Sequence, residues 1–112
     1  MIEEIVIDHL LKKLKVKAYM ETPERDAPGE YVLIEKTGSS NENLITTSTF
    51  AIKSISTSML GAAKLNEAVK EAMSTLIENN AVSRCKLDSD YNFSDPDATK
   101  YRYQAVYDIT HY

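Results

Sequence analysis

Tryptophan is absent, cysteine occurs once, and glycine and proline occur three times each in the 112 residues. Each scarcity removes a class of explanation. A single thiol, Cys85, cannot close an internal disulfide or supply a cysteine-rich metal site, and it fits a reducing compartment. The widely separated glycines leave no phosphate-cradling loop; Gly38-Ser39-Ser40 offers backbone amides, but no lysine follows where such loops need one. His9 and His111 are the only imidazole bases, one in the opening segment and the other beside Tyr112. No apolar run approaches the roughly 20 residues that cross a bilayer. The opening Met1-Ile2-Glu3-Glu4 is acidic where a secretory signal is basic. The expectation is a protein with no membrane partner that stays in the compartment where it is made.

Basic surplus is lacking too. The formal net charge is −4, so no footprint able to displace phosphate counterions shows in the whole-chain count. Nucleic acid is therefore not expected as the main partner, and no nucleic acid sequence recognition is implied. What remains is ordinary for a folded domain: 43% hydrophobic and 27% charged residues, in a length that suits one domain over residues 1–112.

Residues 2–14 carry Ile2, Ile5, Val6, Leu10 and Leu14 at helical spacing, with acids early and lysines late, as a helix dipole prefers. His9 borders that stripe and reads as a half-buried packing residue. Val16 to Met20 is a short strand candidate. Pro23, Pro28 and Gly29 then break regular structure. The unbroken apolar run Tyr31-Val32-Leu33-Ile34 predicts a central strand covered on both faces. Residues 37–43, polar and rich in turn formers, read as an exposed mobile loop. From Leu44 to Ser56 alternation resumes over about 40 Å at strand rise, longer than a small core requires, and an overhanging hairpin is one explanation.

The second helix is the clearest element. Ser58 is the expected N-cap, and Ala62, Leu65, Val69, Ala72, Met73 and Leu76 form one apolar stripe. Asn79-Asn80 is expected to supply a left-handed C-cap. Val82 to Asn92 and Tyr101 to Thr110 read as two more strands across a turn at 94–98. The expected fold is α+β in the order α-β-β-β-α-β-β, a mainly antiparallel sheet with two helices packed on one face.

Chemistry-bearing constellations fail on specific requirements. Cys85 lies inside a strand pattern and reads as a buried structural thiol. Asp88-Ser89-Asp90 begins at calcium-loop spacing, but Phe93 stands where an EF-hand needs glycine and Thr99 where it needs glutamate, so an acidic hairpin tip is the simpler reading. No catalytic residue, metal ligand or cofactor site is assigned, and no enzyme activity is expected. The candidate interface residues are Lys12, Lys13 and Lys15 in the basic cluster, Ser39, Ser40 and Asn41 in the polar segment, Asp88 and Asp90 in the acidic one, and Tyr112. A subunit with a basic and an acidic end can assemble head to tail into a ring.

Several stretches carry a wider likeness. They are the opening helix ending in Leu14-Lys15-Val16, the segment Tyr31-Val32-Leu33-Ile34-Glu35-Lys36-Thr37-Gly38-Ser39, and Leu65-Asn66-Glu67-Ala68-Val69-Lys70. Ser83-Arg84-Cys85 and Tyr101-Arg102-Tyr103-Gln104-Ala105-Val106-Tyr107-Asp108-Ile109 complete the set. Together they resemble small structural proteins from the tail-assembly region of phages and prophages of low-GC Gram-positive bacteria. Size and element order are similar to the tail-terminator (tail-completion) family of long-tailed phages. The resemblance implies a hexameric ring of identical subunits that caps the tail tube protein and presents a surface to the head–tail connector protein. It also implies assembly in the host cytoplasm and residence in the virion tail. Another head–tail joining role, or a cellular α+β ligand-binding module, stays open on these residues.

Overall fold

The computed structural model describes residues 1–23, 28–94 and 100–112. Helix α1 spans Ile2–Lys13, with Ile2, Val6 and Leu10 buried, Glu3 and Glu4 in its first turn and Lys12 and Lys13 in its last. Strand β1 is Lys17–Tyr19, β2 is Tyr31–Glu42 and β3 is Ile45–Ser56. Helix α2 spans Met59–Met73, a 3-10 turn covers Leu76–Glu78, and β4 (Val82–Asn92) and β5 (Tyr101–His111) close the chain's order as α-β-β-β-α-β-β. The sheet runs β1-β2-β3-β5-β4.

Both helices lie on one face of this sheet. Their stripes meet Val32, Ile34, Phe50, Ile52, Ala105, Tyr107 and Ile109 in a single apolar cluster. Phe50, Leu10, Ile34, Ile52, Leu76 and Ile109 are among the largest wholly buried side chains, each adding about 1.5–3 kcal/mol of burial free energy. Ser58 caps α2 as expected, its hydroxyl accepting from the Gly61 N–H at 3.0 Å. The opposite face carries a smaller cluster of Tyr31, Leu33 and Ile55 with Tyr19 against them. That second cluster explains the unbroken apolar run at 31–34, which is buried on both sides.

Three expectations are corrected and one is refined. Residues 37–42 are strand rather than mobile loop, because β3 supplies partners out to Glu42↔Ile45 and β5 braces β3 on its other side. Polar side chains do not prevent a strand whose backbone is fully paired. The second correction concerns the end of α2: it stops at Met73, not at a left-handed Asn79-Asn80 cap. There Ser74 Oγ donates to Glu71 O at 2.6 Å and Thr75 Oγ1 to Ala72 O at 2.9 Å, satisfying the last carbonyls locally. Asn79 is extended, and its side chain accepts from the Ala81 N–H at 2.9 Å.

Third, as a refinement, β1 pairs parallel to β2, through Lys17↔Tyr31 to Tyr19↔Leu33, within a sheet that is mainly antiparallel as expected. Fourth, Asp88 and Asp90 sit within β4, not at a hairpin tip. The turn expected at 94–98 falls almost wholly outside the described residues, as do Asp95 and Asp97.

Candidate assembly surfaces

The β2–β3 hairpin stays paired from Tyr31↔Ile55 to Glu42↔Ile45, yet every residue from Glu35 to Ile45 is exposed. Its β2 side is exposed because, among the described residues, it forms an uncovered margin of the sheet; β3 is paired with β5 as far as Thr46↔His111, so only the tip at 42–45 overhangs, in a molecule of 44 × 25 × 24 Å. Asn43 and Leu44 close it with φ of 51° and 67°, both left-handed, as a two-residue type I′ turn requires. Asparagine tolerates this conformation; leucine pays about 1–2 kcal/mol for it. Leu44 is nevertheless 94% exposed, so nothing in the fold compensates. Strain of this kind concentrates where function holds it in place.

Beside the hairpin's closed end lies the end of β5. His111 pairs with both Thr46 and Val82, which places Tyr112 at this end, its backbone N–H bonded to Ala81 O at 3.0 Å. The Tyr112 side chain is 76% exposed. Side-chain rungs stiffen the base: Ser48 Oγ lies 2.8 Å from His111 Nε2, and Thr49 Oγ1 donates to Asp108 Oδ1 at 2.8 Å. Leu44, Ile45 and Tyr112 thus form an apolar group on a rigid arm.

The candidate residues do not converge. Ser39, Ser40 and Asn41 line the uncovered margin of β2, and Tyr112 lies beside the hairpin's tip. Lys12 and Lys13 end α1, and Lys15 runs into β1, all exposed. Lys13 and Lys15 border an open groove whose apolar lining includes Leu14, Val16 and Leu65. Asp88 and Asp90 belong to β4, the opposite margin of the sheet. Asp90 is also a tie within the fold: its Oδ1 accepts from Asn66 Nδ2 at 3.3 Å and from Lys70 Nζ at 3.4 Å. Asn66 itself is buried, and among the described residues its Oδ1 has no partner.

Cys85, Tyr107 and His9 are engaged in packing. Burial pushes the half-buried Cys85 thiol up to about 11, so it is no thiolate nucleophile at neutral pH. Burial, reinforced by Cys85, Asp90 and Glu67, pushes the Tyr107 phenol up to about 12. His9 Nε2 lies 2.7 Å from Ala72 O and 3.0 Å from Thr75 Oγ1, joining α1 to the end of α2. Among the described residues no cluster of three or more His, Cys, Asp or Glu side chains is placed to hold a metal. No helix is long and apolar enough to cross a membrane.

Sequence reasoning missed Leu44 by assigning it to the strand. Its signal was present as Asn43 between two alternating runs, but leucine at the second turn position conceals a motif usually written with glycine.

No family model matches this sequence, and no curated protein matches it either. The fold does have a solved counterpart. A chain of the virion of a native gene transfer agent particle superimposes with a TM-score of 0.66, covering 95% of this chain and 83% of that one at 14% identity. At that identity the likeness is one of fold.

Proposed function

We propose that the chain is a structural subunit of a phage-type virion, a tail terminator that forms a six-membered ring on the finished tail tube. The observation that carries this reading is the β2–β3 hairpin, braced by β5 to its last rows and ending in a projecting tip with a strained leucine that is 94% exposed. Such a tip serves docking and serves nothing inside the subunit. The fold shared with a gene transfer agent virion chain supports a virion role. The resemblance in the sequence supports the terminator position among such roles.

The mechanism is one of binding alone, and the protein is not an enzyme. A ring whose lower face matches the last layer of tube subunits occupies the surface on which another layer would add. Its upper face then receives the head–tail connector. In this reading assembly takes place in the host cytoplasm, and the subunit ends in the virion tail.

The test is to add purified protein to polymerising tail tubes and measure their length distribution. Terminator action shortens and narrows the distribution in proportion to added ring. Binding to the connector with no effect on tube length would assign a neck role instead. A subunit that ignores both would sink the virion reading.

A further inference from the structure

We infer that copies of this chain join edge to edge, the open margin of β2 in one copy pairing antiparallel with the open margin of β4 in the next. The inference rests on the ring reading above and names the contact that builds it. Among the described residues, β1 covers β2 only at Tyr31–Leu33, and β4 pairs with β5 alone. Among the described residues, 34–42 and the whole outer side of β4 therefore have no strand partner on these margins, a ready template for another strand.

Direction fits without adjustment. Since β1 runs parallel to β2 and every other neighbour is antiparallel, β2 and β4 point opposite ways. Copies placed side by side in one orientation bring these margins together as an antiparallel pair. Such a contact is head to tail, the type that closes rings.

The register is fixed by two irregularities. Each margin has an extra residue, Thr37 between Lys36 and Gly38, and Asp88 between Leu87 and Ser89. Setting Glu42 opposite Arg84 brings Ser40 to Lys86. The two extra residues then fall one step apart, so Lys36 meets Asp90 with side chains still on matching faces. A further shift in β4, at Ser83, lies outside this overlap. Opposite charges thus face each other at both ends, Glu42 with Arg84 and Lys36 with Asp90. A slide of two residues is the smallest that keeps faces matched, and in either direction it leaves at most one such opposition. Within one copy Arg84 shares a row with Ser40, by way of Thr110 and Thr47. Across the contact it faces Glu42, a stagger of about 6.6 Å per copy. Stagger is what a closed sheet requires. A second copy is the occupant because the two margins complement each other, whereas a foreign strand would use one of them.

Disulfide trapping tests this. Glu42→Cys and Arg84→Cys are combined in one chain carrying Cys85→Ser, whose folding is verified by circular dichroism. Within a copy the two positions lie at least three strand spacings apart, about 14 Å, far beyond the roughly 4 Å a disulfide spans between Cβ atoms. Oxidation on tail tubes, and of concentrated free protein, is expected to give a ladder of covalent multimers. Glu42→Cys with Lys64→Cys is expected to give none. Charge exchange provides a second reading: Glu42→Arg or Arg84→Glu alone weakens association several-fold, and the two together restore it. No ladder under either condition overturns the inference even if the native chain fixes tube length. A ladder from a chain that leaves tubes unchanged upholds the edge contact and removes the tail reading. Neither ladder nor effect on tubes overturns both.

Discussion

Leu44 sits in a backbone conformation that its own side chain opposes, at a position where glycine costs nothing. Leu44→Gly is therefore expected to stabilise the subunit by about 1 kcal/mol. In a domain of this size that raises the thermal midpoint by roughly 4 °C, while tube capping falls. Calorimetry beside tube-length measurement checks the pair, and a variant that caps normally would detach the leucine from function. Cys85 and Tyr107 make a different case. Their folded values, about 11 and about 12, stand above ordinary values of 9.0 and 10.0. Their stabilisation is complete below those ordinary values and is lost as pH rises through the folded ones. Urea midpoints should fall across pH 9–11 in the native protein and fall less in Cys85→Ser; Tyr107→Phe removes the later part of the loss. At this scale the sequence was informative where chemistry is local. Ser58 announced its cap and His9 its packing, whereas the strain at Leu44 depends on a turn that only strand pairing creates.

Among the elements, α2 and β4 are held together by Asn66, Asp90 and Lys70. Asn66→Asp places a second carboxylate beside Asp90 in a buried position, and the expected cost at neutral pH is about 3–5 kcal/mol. The introduced acid's affinity for its proton is raised, so the penalty shrinks as pH falls. Denaturant midpoints at pH 5 and pH 7.5 should converge toward the native values at the lower one. The hairpin makes the opposite prediction. Replacing residues 40–47 with Asn-Gly removes the overhang in matched pairs and keeps every remaining side chain on its face. None of those residues is buried, so the thermal midpoint should stay within a few degrees while tube capping is lost. The periodicity of α1, α2 and β5 made these elements readable. Segment 37–42 was misread because its serines, threonine and asparagine favour turns, and only β3 supplies the reason they extend.

Viewed whole, the sheet separates its charges: the lysines of α1 and the approach to β1 lie at one margin, Asp88 and Asp90 at the other. If these margins meet in the ring, reversing the sign of Lys12, Lys13 and Lys15 should weaken assembly at low salt. The deficit should shrink toward 0.5 M, where the screening length is about 4 Å. Light scattering across a salt series reads this directly; indifference to salt would limit the clusters to solubility. The element order was legible from the chain, but the neighbour order was not. The parallel pairing of β1 with β2, and the antiparallel pairing of β3 with β5 across an intervening helix and strand, leave no local mark in a sequence.

That β3–β5 pairing also orders events in time. Lys53 and Gln104 are partners, yet the helix and β4 separate them in the chain. The β2–β3 hairpin can form as soon as it is made, but one side of β3, with Phe50 and Ile52, waits until the last strand has been synthesised. Long-range closures of this kind are slow steps in folding. During that interval a nascent chain presents a third template strand beside the two that the finished subunit keeps open, and crowded synthesis favours mispairing. Expression yield should consequently respond to synthesis rate and temperature more steeply than the stability of the finished subunit does.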